Sequence, residues 1–263
     1  MKKTRIPLRL PLILIFLAGS LGGCSFGESN DWQVYMSPQR QARGLVIILP
    51  GIEGVSRYNR NIRKGLDEAG CPYALMIRPW GRSIPVARLL LNQMDHAGNR
   101  AAAVGVADTV MRYWQQNPGK PVFMVGHSGG GGIAVFAAEV LDDRGGGQVD
   151  GLVLLSASLS SGYDLTKAMR RTRNGIVNFF NPRDAALLAV GTTVVGNVDG
   201  VRGPSAGLQG FGFESPRLFQ VHVDGGLSID PHGSSTNANY VVQNVAPWIM
   251  SSAWPPDSPP LDK

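Results

Sequence analysis

Residues 121–141 read PVFMVGHSGGGGIAVFAAEVL, and the rest of the chain is organised around them. Val122 to Val125 is a short apolar run with valine at both ends, the pattern of a buried strand. Ile133, Ala137, Val140 and Leu141 recur at helical spacing, which predicts a helix. Between them lies Gly126-His127-Ser128-Gly129-Gly130, a G-x-S-x-G match in a strand–turn–helix setting. A strand that reverses directly into a helix forces the central residue into a sparsely allowed backbone conformation. Small residues two positions to either side, Gly126 and Gly130, let the two backbones approach closely. Ser128 Oγ is then projected to where a base can reach it. Gly129 offers its N–H at the helix N-terminus, where the dipole favours a developing oxyanion. A purely structural turn would carry the same glycines without that chemistry.

The stretch resembles the nucleophile elbow of the α/β-hydrolase superfamily, in a form common among esterases and lipases. The resemblance implies an α/β fold, a mostly parallel central sheet with helices on both faces, and Ser128 as nucleophile. Gly129 to Ala134 also fits G-x-G-x-x-A, a dinucleotide fingerprint. The following strand, Leu152 to Leu155, ends in serines rather than the acid that would hold a ribose. No Lys-Ser/Thr pair follows either, so no nucleotide phosphate loop is expected.

The chain has 263 residues, enough for one α/β domain with a sizeable core. Hydrophobic residues make up 43% and charged residues 17%, a globular rather than disordered composition. The net charge of +6 is concentrated at the start, where Lys2, Lys3, Arg5 and Arg9 meet no acid. Beyond residue 23 there are 21 basic and 19 acidic residues, so the charge gives no support to a nucleic-acid partner. The basic start precedes Leu10 to Leu21, a mostly apolar run too short to span a bilayer. It ends in Leu21-Gly22-Gly23-Cys24, which resembles a bacterial lipobox. That resemblance implies a signal peptide over residues 1–23, cleavage before Cys24, acylation of its thiol and amino group, and anchorage at a membrane. An ordinary secretory signal with an incidental cysteine is the alternative, and either way the domain is exported. Ser25 points to the outer rather than the inner membrane by enterobacterial analogy. With Cys24 lipidated, Cys71 has no partner for a disulfide and reads as a buried, inert thiol. No Cys/His cluster has metal-ligand spacing.

Residues 24–43 read as a tether, with one edge strand around Trp32 to Met36, and residues 44–250 as the hydrolase-like domain. Leu45 to Leu49 is a continuous apolar run, a strand covered on both faces. It stops at Pro50-Gly51-Ile52-Glu53-Gly54. In the resembled family this loop usually carries a His-Gly pair, and the next residue supplies an oxyanion N–H. Pro50 replaces that histidine, Gly51 is retained, and Ile52 becomes the candidate donor beside Gly129; a plain turn is the alternative. Tyr58, Ile62, Leu66 and Ala69 form a helical stripe ended by Gly70, and Pro72 to Ile77 returns as a strand. Trp80 either walls an acyl pocket or packs over the sheet edge. Val86 to Met94 could be a short amphipathic helix, and His96 reads as a surface residue. Ala103, Ala107, Val110 and Trp114 mark the next helix. Gly151 to Leu155, Ile176 to Phe180 and Leu218 to Val223 complete the strands.

The resemblance also places the remaining catalytic groups. Asp184 follows a strand where the family carries its triad acid, with Asp164 as runner-up and a helix N-cap as the structural alternative. His232 lies on the loop after the last strand, the place of the family base. His222 reads as a hydrogen-bonded strand residue, and His127 is expected to point away from the base. The order Ser128, Asp184, His232 is the one expected for this fold. Residues 156–172 leave no room for a large cap, so an open or modestly covered site is expected. Ala185 to Val195 could be helical, residues 196–212 read as loop, and residues 251–263 as a disordered tail.

The expected activity is hydrolysis of a carboxylic ester, small or lipid, through an acyl-enzyme, with no cofactor and no metal. A thioester or activated amide is the nearest alternative. A non-catalytic surface lipoprotein of the same fold is the alternative from another class. A peptidase of this fold would often carry an extra domain, for which the chain is too short.

Overall fold

The computed structural model describes residues 33–81, 95–184, 196–224 and 230–257. The signal segment, Cys24, residues 86–94 and residues 185–195 lie outside them. Six strands, β1 (Leu45–Leu49), β2 (Ala74–Ile77), β3 (Val122–His127), β4 (Gly151–Leu155), β5 (Ile176–Phe180) and β6 (Leu218–His222), build one parallel sheet. Their order is β2-β1-β3-β4-β5-β6.

The apolar runs fill both faces of that sheet by simple alternation. Leu45, Ile47, Leu49, Val122 and Met124 face one core; Val46, Ile48, Phe123 and Val125 face the other. Helix α1 (Arg57–Glu68) buries Ile62 and Leu66 in the second core. Helices α2 (His96–Gln116) and α3 (Gly129–Asp143) cover the first. The last helical stretch runs from Ala238 to Met250 and brings Val241, Val245, Trp248 and Ile249 to the second core. Its middle, Val241–Val245, is a π-turn, set just before Pro247, which has no N–H to donate to a regular ladder. This is the doubly wound α/β architecture. Among the described residues no helix is long and apolar enough to cross a membrane.

Three expectations need correction. Residues 33–35 are helical rather than an edge strand, and Pro38–Gln41 is a short helix capped by Ser37. Residues 36–43 are therefore part of the folded domain rather than tether: Met36 is buried, the Gln41 carbonyl accepts from Tyr113, and Arg40 pairs with Asp67. The described part of the expected tail, residues 251–257, also packs further than expected. Trp254 lies against Phe219 and Trp248, and donates its indole N–H to the Trp248 carbonyl. Three aromatic rings bury enough apolar surface to hold that segment down. His222 ends β6, a strand residue as expected, but it is exposed and edges onto Phe180.

The order places β1 and β3 side by side, while the chain leaves β1 for β2 on its other flank. Their shared carboxyl end is the switch point where such sheets hold ligands. There Leu49 pairs with Gly126, and His127 with Leu155, so the loops after β1, β3 and β4 start level with one another.

The glycines at this end are demanded by close packing. A Cβ on Gly126 would strike the backbone of Gly130, and one on Gly130 would strike the carbonyls of Leu49 and Pro50. Gly130→Ala is expected to cost about 1–3 kcal/mol by overpacking, seen as a lower urea midpoint. Gly162→Ala, where a methyl meets nothing within 4 Å, should leave the midpoint unchanged or slightly raised.

Candidate active site

Ser128 sits between β3 and α3 with φ 52° and ψ −122°, a positive φ that side chains rarely adopt. Such a conformation costs on the order of 1–3 kcal/mol. Backbone bonds hold it: Ser128 N–H donates to Leu155 O at 2.9 Å, and Ser128 O accepts from Gly131 and Ser158 at 3.0 Å each. The residue is 7% exposed.

The loop after β1 comes to the same point. A Cβ on Gly129 would meet Ile52 Cγ2 at 3.1 Å and Trp80 Cζ2 at 3.2 Å. Ile52 and Gly129, the two candidate oxyanion donors, are thus neighbours. The Gly129 N–H belongs to the first turn of α3, where donors have no partner within the helix. Trp80 donates its indole N–H to Pro50 O at 2.6 Å, which pins that loop. Trp80 lies beside Gly129 and packs against the first core.

On the other side, His232 Nδ1 lies 2.7 Å from Asp184 Oδ2, and both residues are buried. Nδ1–H donates to the carboxylate, which leaves Nε2 as the acceptor. Asn181 links the two turns: its backbone O accepts from Asp184 N–H at 3.0 Å, and its side chain donates to Pro231 O at 3.2 Å. Asp164 is elsewhere and exposed, accepting from the backbone and hydroxyl of Thr166 two residues on.

His127 does not point away from the base, contrary to expectation. Its ring is buried 4.8 Å from that of His232, and its Nε2–H donates to the His232 carbonyl at 3.3 Å. The histidine next to Ser128 in sequence therefore ties down the loop that carries His232. No hydrogen bond to Ser128 Oγ is present among the described residues.

Charge follows this packing. Burial pushes the His232 imidazole down, but Asp184, with Glu53 and Asp230, more than offsets it, and its pKa is raised. Burial raises the Asp184 carboxyl, against the pull of His232. Burial and the nearby His232 charge keep His127 well below the ordinary histidine value, so it stays neutral. Cys71 is buried, and burial pushes its thiol up, as an inert cysteine requires.

Residues 196–212, read as plain loop, contribute to the site. Val198 packs against Gly129 and Gly132, and a Cβ on Gly132 would collide with it. Ala206–Gln209 forms a short helix whose Gly207 lies against the Ser156 backbone. The run Gly129 to Gly132 was the available signal: more glycines than an elbow requires. Among the described residues no cluster of three or more His, Cys, Asp or Glu side chains could hold a metal ion.

The family model described as serine aminopeptidase, S33, matches residues 40–186, more than half of the chain. The chain belongs to this α/β-hydrolase family. No curated protein matches the hydrolase. Solved structures similar to it include the NocB thioesterase domain in covalent complex with a fluorophosphonate nocardicin G analogue, at 14% identity and TM-score 0.46. That match covers 81% of this chain and 98% of the other. Est1E from Butyrivibrio proteoclasticus is 13% identical with TM-score 0.45, covering 82% and 91%. A cutinase-like protein from Cryptococcus sp. is 15% identical with TM-score 0.40, covering 79% and 93%.

Replacing His127 by Leu in the hydrolase removes the donor to the buried His232 carbonyl. An unsatisfied buried acceptor costs about 1–3 kcal/mol. The expected outcome is a lower urea midpoint of that size, together with slower turnover as the base loop loosens. A midpoint equal to wild type would mean that the bond does not hold the loop.

Proposed function

We propose that this α/β-hydrolase is an exported, lipid-anchored serine hydrolase that cleaves carboxylic esters through an acyl-enzyme. The observation that carries the reading is the buried His232–Asp184 hydrogen bond, standing beside the neighbour of a serine with positive φ. In this reading His232 Nε2 takes the Ser128 proton as Oγ attacks the ester carbonyl. The Gly129 and Ile52 N–H groups hold the oxyanion, each worth roughly 3–4 kcal/mol in the transition state. His232 passes its proton to the leaving alcohol, which departs as the carbonyl re-forms. Water, deprotonated by His232, then releases the acid and frees Ser128. Asp184 keeps the imidazole in one tautomer and stabilises the imidazolium.

The apolar side chains around Gly129, from Ile52, Trp80 and Val198, favour an uncharged acyl group. The test is labelling by a fluorophosphonate probe together with an ester panel of graded acyl length. A thioester and an aminoacyl amide belong in that panel, the latter because the family description names an aminopeptidase. Wild type should be labelled and Ser128→Ala should not. Asp184→Asn should lose about 10³-fold or more in kcat/KM, and Asp164→Asn should match wild type. A folded wild type that resists the probe would favour the non-catalytic lipoprotein, and preferred cleavage of the amide would reassign the substrate class.

The anchor is a separate part of the proposal, and it rests on Leu21-Gly22-Gly23-Cys24 after a basic, apolar leader. Several acyl chains, at about 0.8 kcal/mol per buried methylene, hold a protein stably at a membrane. Cys24→Ala is expected to move the protein from the detergent phase to the aqueous phase in a Triton X-114 partition, with esterase activity retained. A variant that stays with the detergent would remove the anchor from the proposal.

A further inference from the structure

The loop between β1 and α1 carries a carboxylate that the chemistry above leaves unused. Glu53 Oε1 accepts the Ser56 hydroxyl at 3.0 Å. Its Oε2 folds back over Gly51, where a Cβ would collide with it, and the backbone N–H groups of Gly51 and Glu53 bond to the carboxylate. Among the described residues no Lys or Arg pairs with it. Ser56 is also the N-cap of α1, in a capping box with Asn59. The carboxylate is therefore set by the same residue that starts the helix, before any substrate arrives.

This loop and helix lie against the base. The Tyr58 ring stands 6.3 Å from that of His232 and 4.9 Å from that of His127. A Cβ on Gly233 would collide with Tyr58. Ser56 Oγ, which donates to Glu53, accepts the Tyr58 N–H at 3.2 Å, so one residue holds both the carboxylate and the ring that meets His232, and the charges of Glu53 and His232 favour each other.

We propose that Glu53 is a positioning residue for the base: a second carboxylate, presented by the oxyanion loop, that stabilises the His232 imidazolium while Asp184 holds Nδ1. The proposal rests on Ser128 and His232 being nucleophile and base. Among the described residues, five groups face His232. Asp184 comes from the turn after β5. Asp230 comes from its own loop and is engaged by Arg57 and Tyr58. His127 comes from β3 and is held neutral by burial. Tyr58 comes from α1, and burial raises its phenol. Glu53 alone of the three carboxylates has neither a cation beside it nor a bond to the imidazole. Burial raises the Glu53 carboxyl, and its backbone bonds, Ser56 and His232 oppose that rise. One short loop thus holds both the donor for the oxyanion and an anion for the base. Both charges that appear in the transition state find fixed partners there.

The test is the rate of fluorophosphonate labelling of the full chain as a function of pH, for wild type, Glu53→Gln and Glu214→Gln. His232 must be unprotonated to act, and its pKa is raised above 6.5, so the wild-type rate should fall below a pH higher than that value. Removing the Glu53 charge should move that fall to lower pH and slow labelling severalfold on the plateau. Glu214, exposed at the far end of the sheet, should leave the curve where it was. A ¹⁵N titration of the His232 imidazole in the Ser128→Ala background is the second readout, with the same displacement expected from Glu53→Gln. If that variant does not fold, Glu53→Met takes its place in both measurements. Curves that coincide with wild type overturn the role of Glu53. Absence of labelling in wild type, or its persistence in Ser128→Ala, overturns the serine-hydrolase reading instead.

Discussion

The site depends on one close approach of backbone to backbone. The first turn of α3 is pressed onto the carboxyl ends of β1 and β3, with Gly130 over Leu49 and Pro50 and Gly126 beneath Gly130. No side chain fits between them. The chain must therefore turn within a single residue, and Ser128 takes a positive φ that costs on the order of 1–3 kcal/mol. Backbone bonds to the end of β4, to Ser158 beyond it and to Gly131 in α3 lock that turn. The strain persists because the surrounding sheet and helix over-determine it.

From that contact the rest of the site follows. The register Leu49–Gly126 brings Pro50-Gly51-Ile52 level with the elbow, which makes Ile52 a neighbour of Gly129. The loop after β6 is held from the other side by the His127 bond to the His232 carbonyl and by Asn181. His232 is 6% exposed, so any proton it carries needs nearby negative charge. Asp184 supplies that charge directly, and Glu53 lies where it can add to it. The proposed acyl transfer draws on this same end of the sheet, where Ile52 and Gly129 are neighbours and His127, next to Ser128, holds the His232 loop.

Much of this was legible because its causes are local. The strands could be read from unbroken apolar runs, since a sheet covered on both faces needs them. The elbow could be read from glycine spacing around Ser128, and Gly70 from its position after a helical stripe. Other features were not legible, for equally physical reasons. Residues 33–43 are polar enough to read as a tether, but Met36 finds the core and Arg40 finds Asp67 only once the domain has closed. Trp254 lies in a proline-rich end and is held by Phe219 and Trp248, which are distant or poorly marked in sequence. Val198 was hidden in a glycine-rich loop whose packing partner, Gly132, carries no side chain to signal contact.

The sequence by itself determined the parallel α/β sheet and the serine on its central bend, because unbroken apolar runs and turn chemistry act between near neighbours. It also confined the acid and base candidates to the ends of the last strands. Only the tertiary structure decided that Asp184 rather than Asp164 meets His232, that His127 turns toward the base, and that Glu53 lies within its field. Those pairings join residues tens of positions apart, and a buried charge selects its partner by distance in space, which strand order and loop packing establish after the chain has folded.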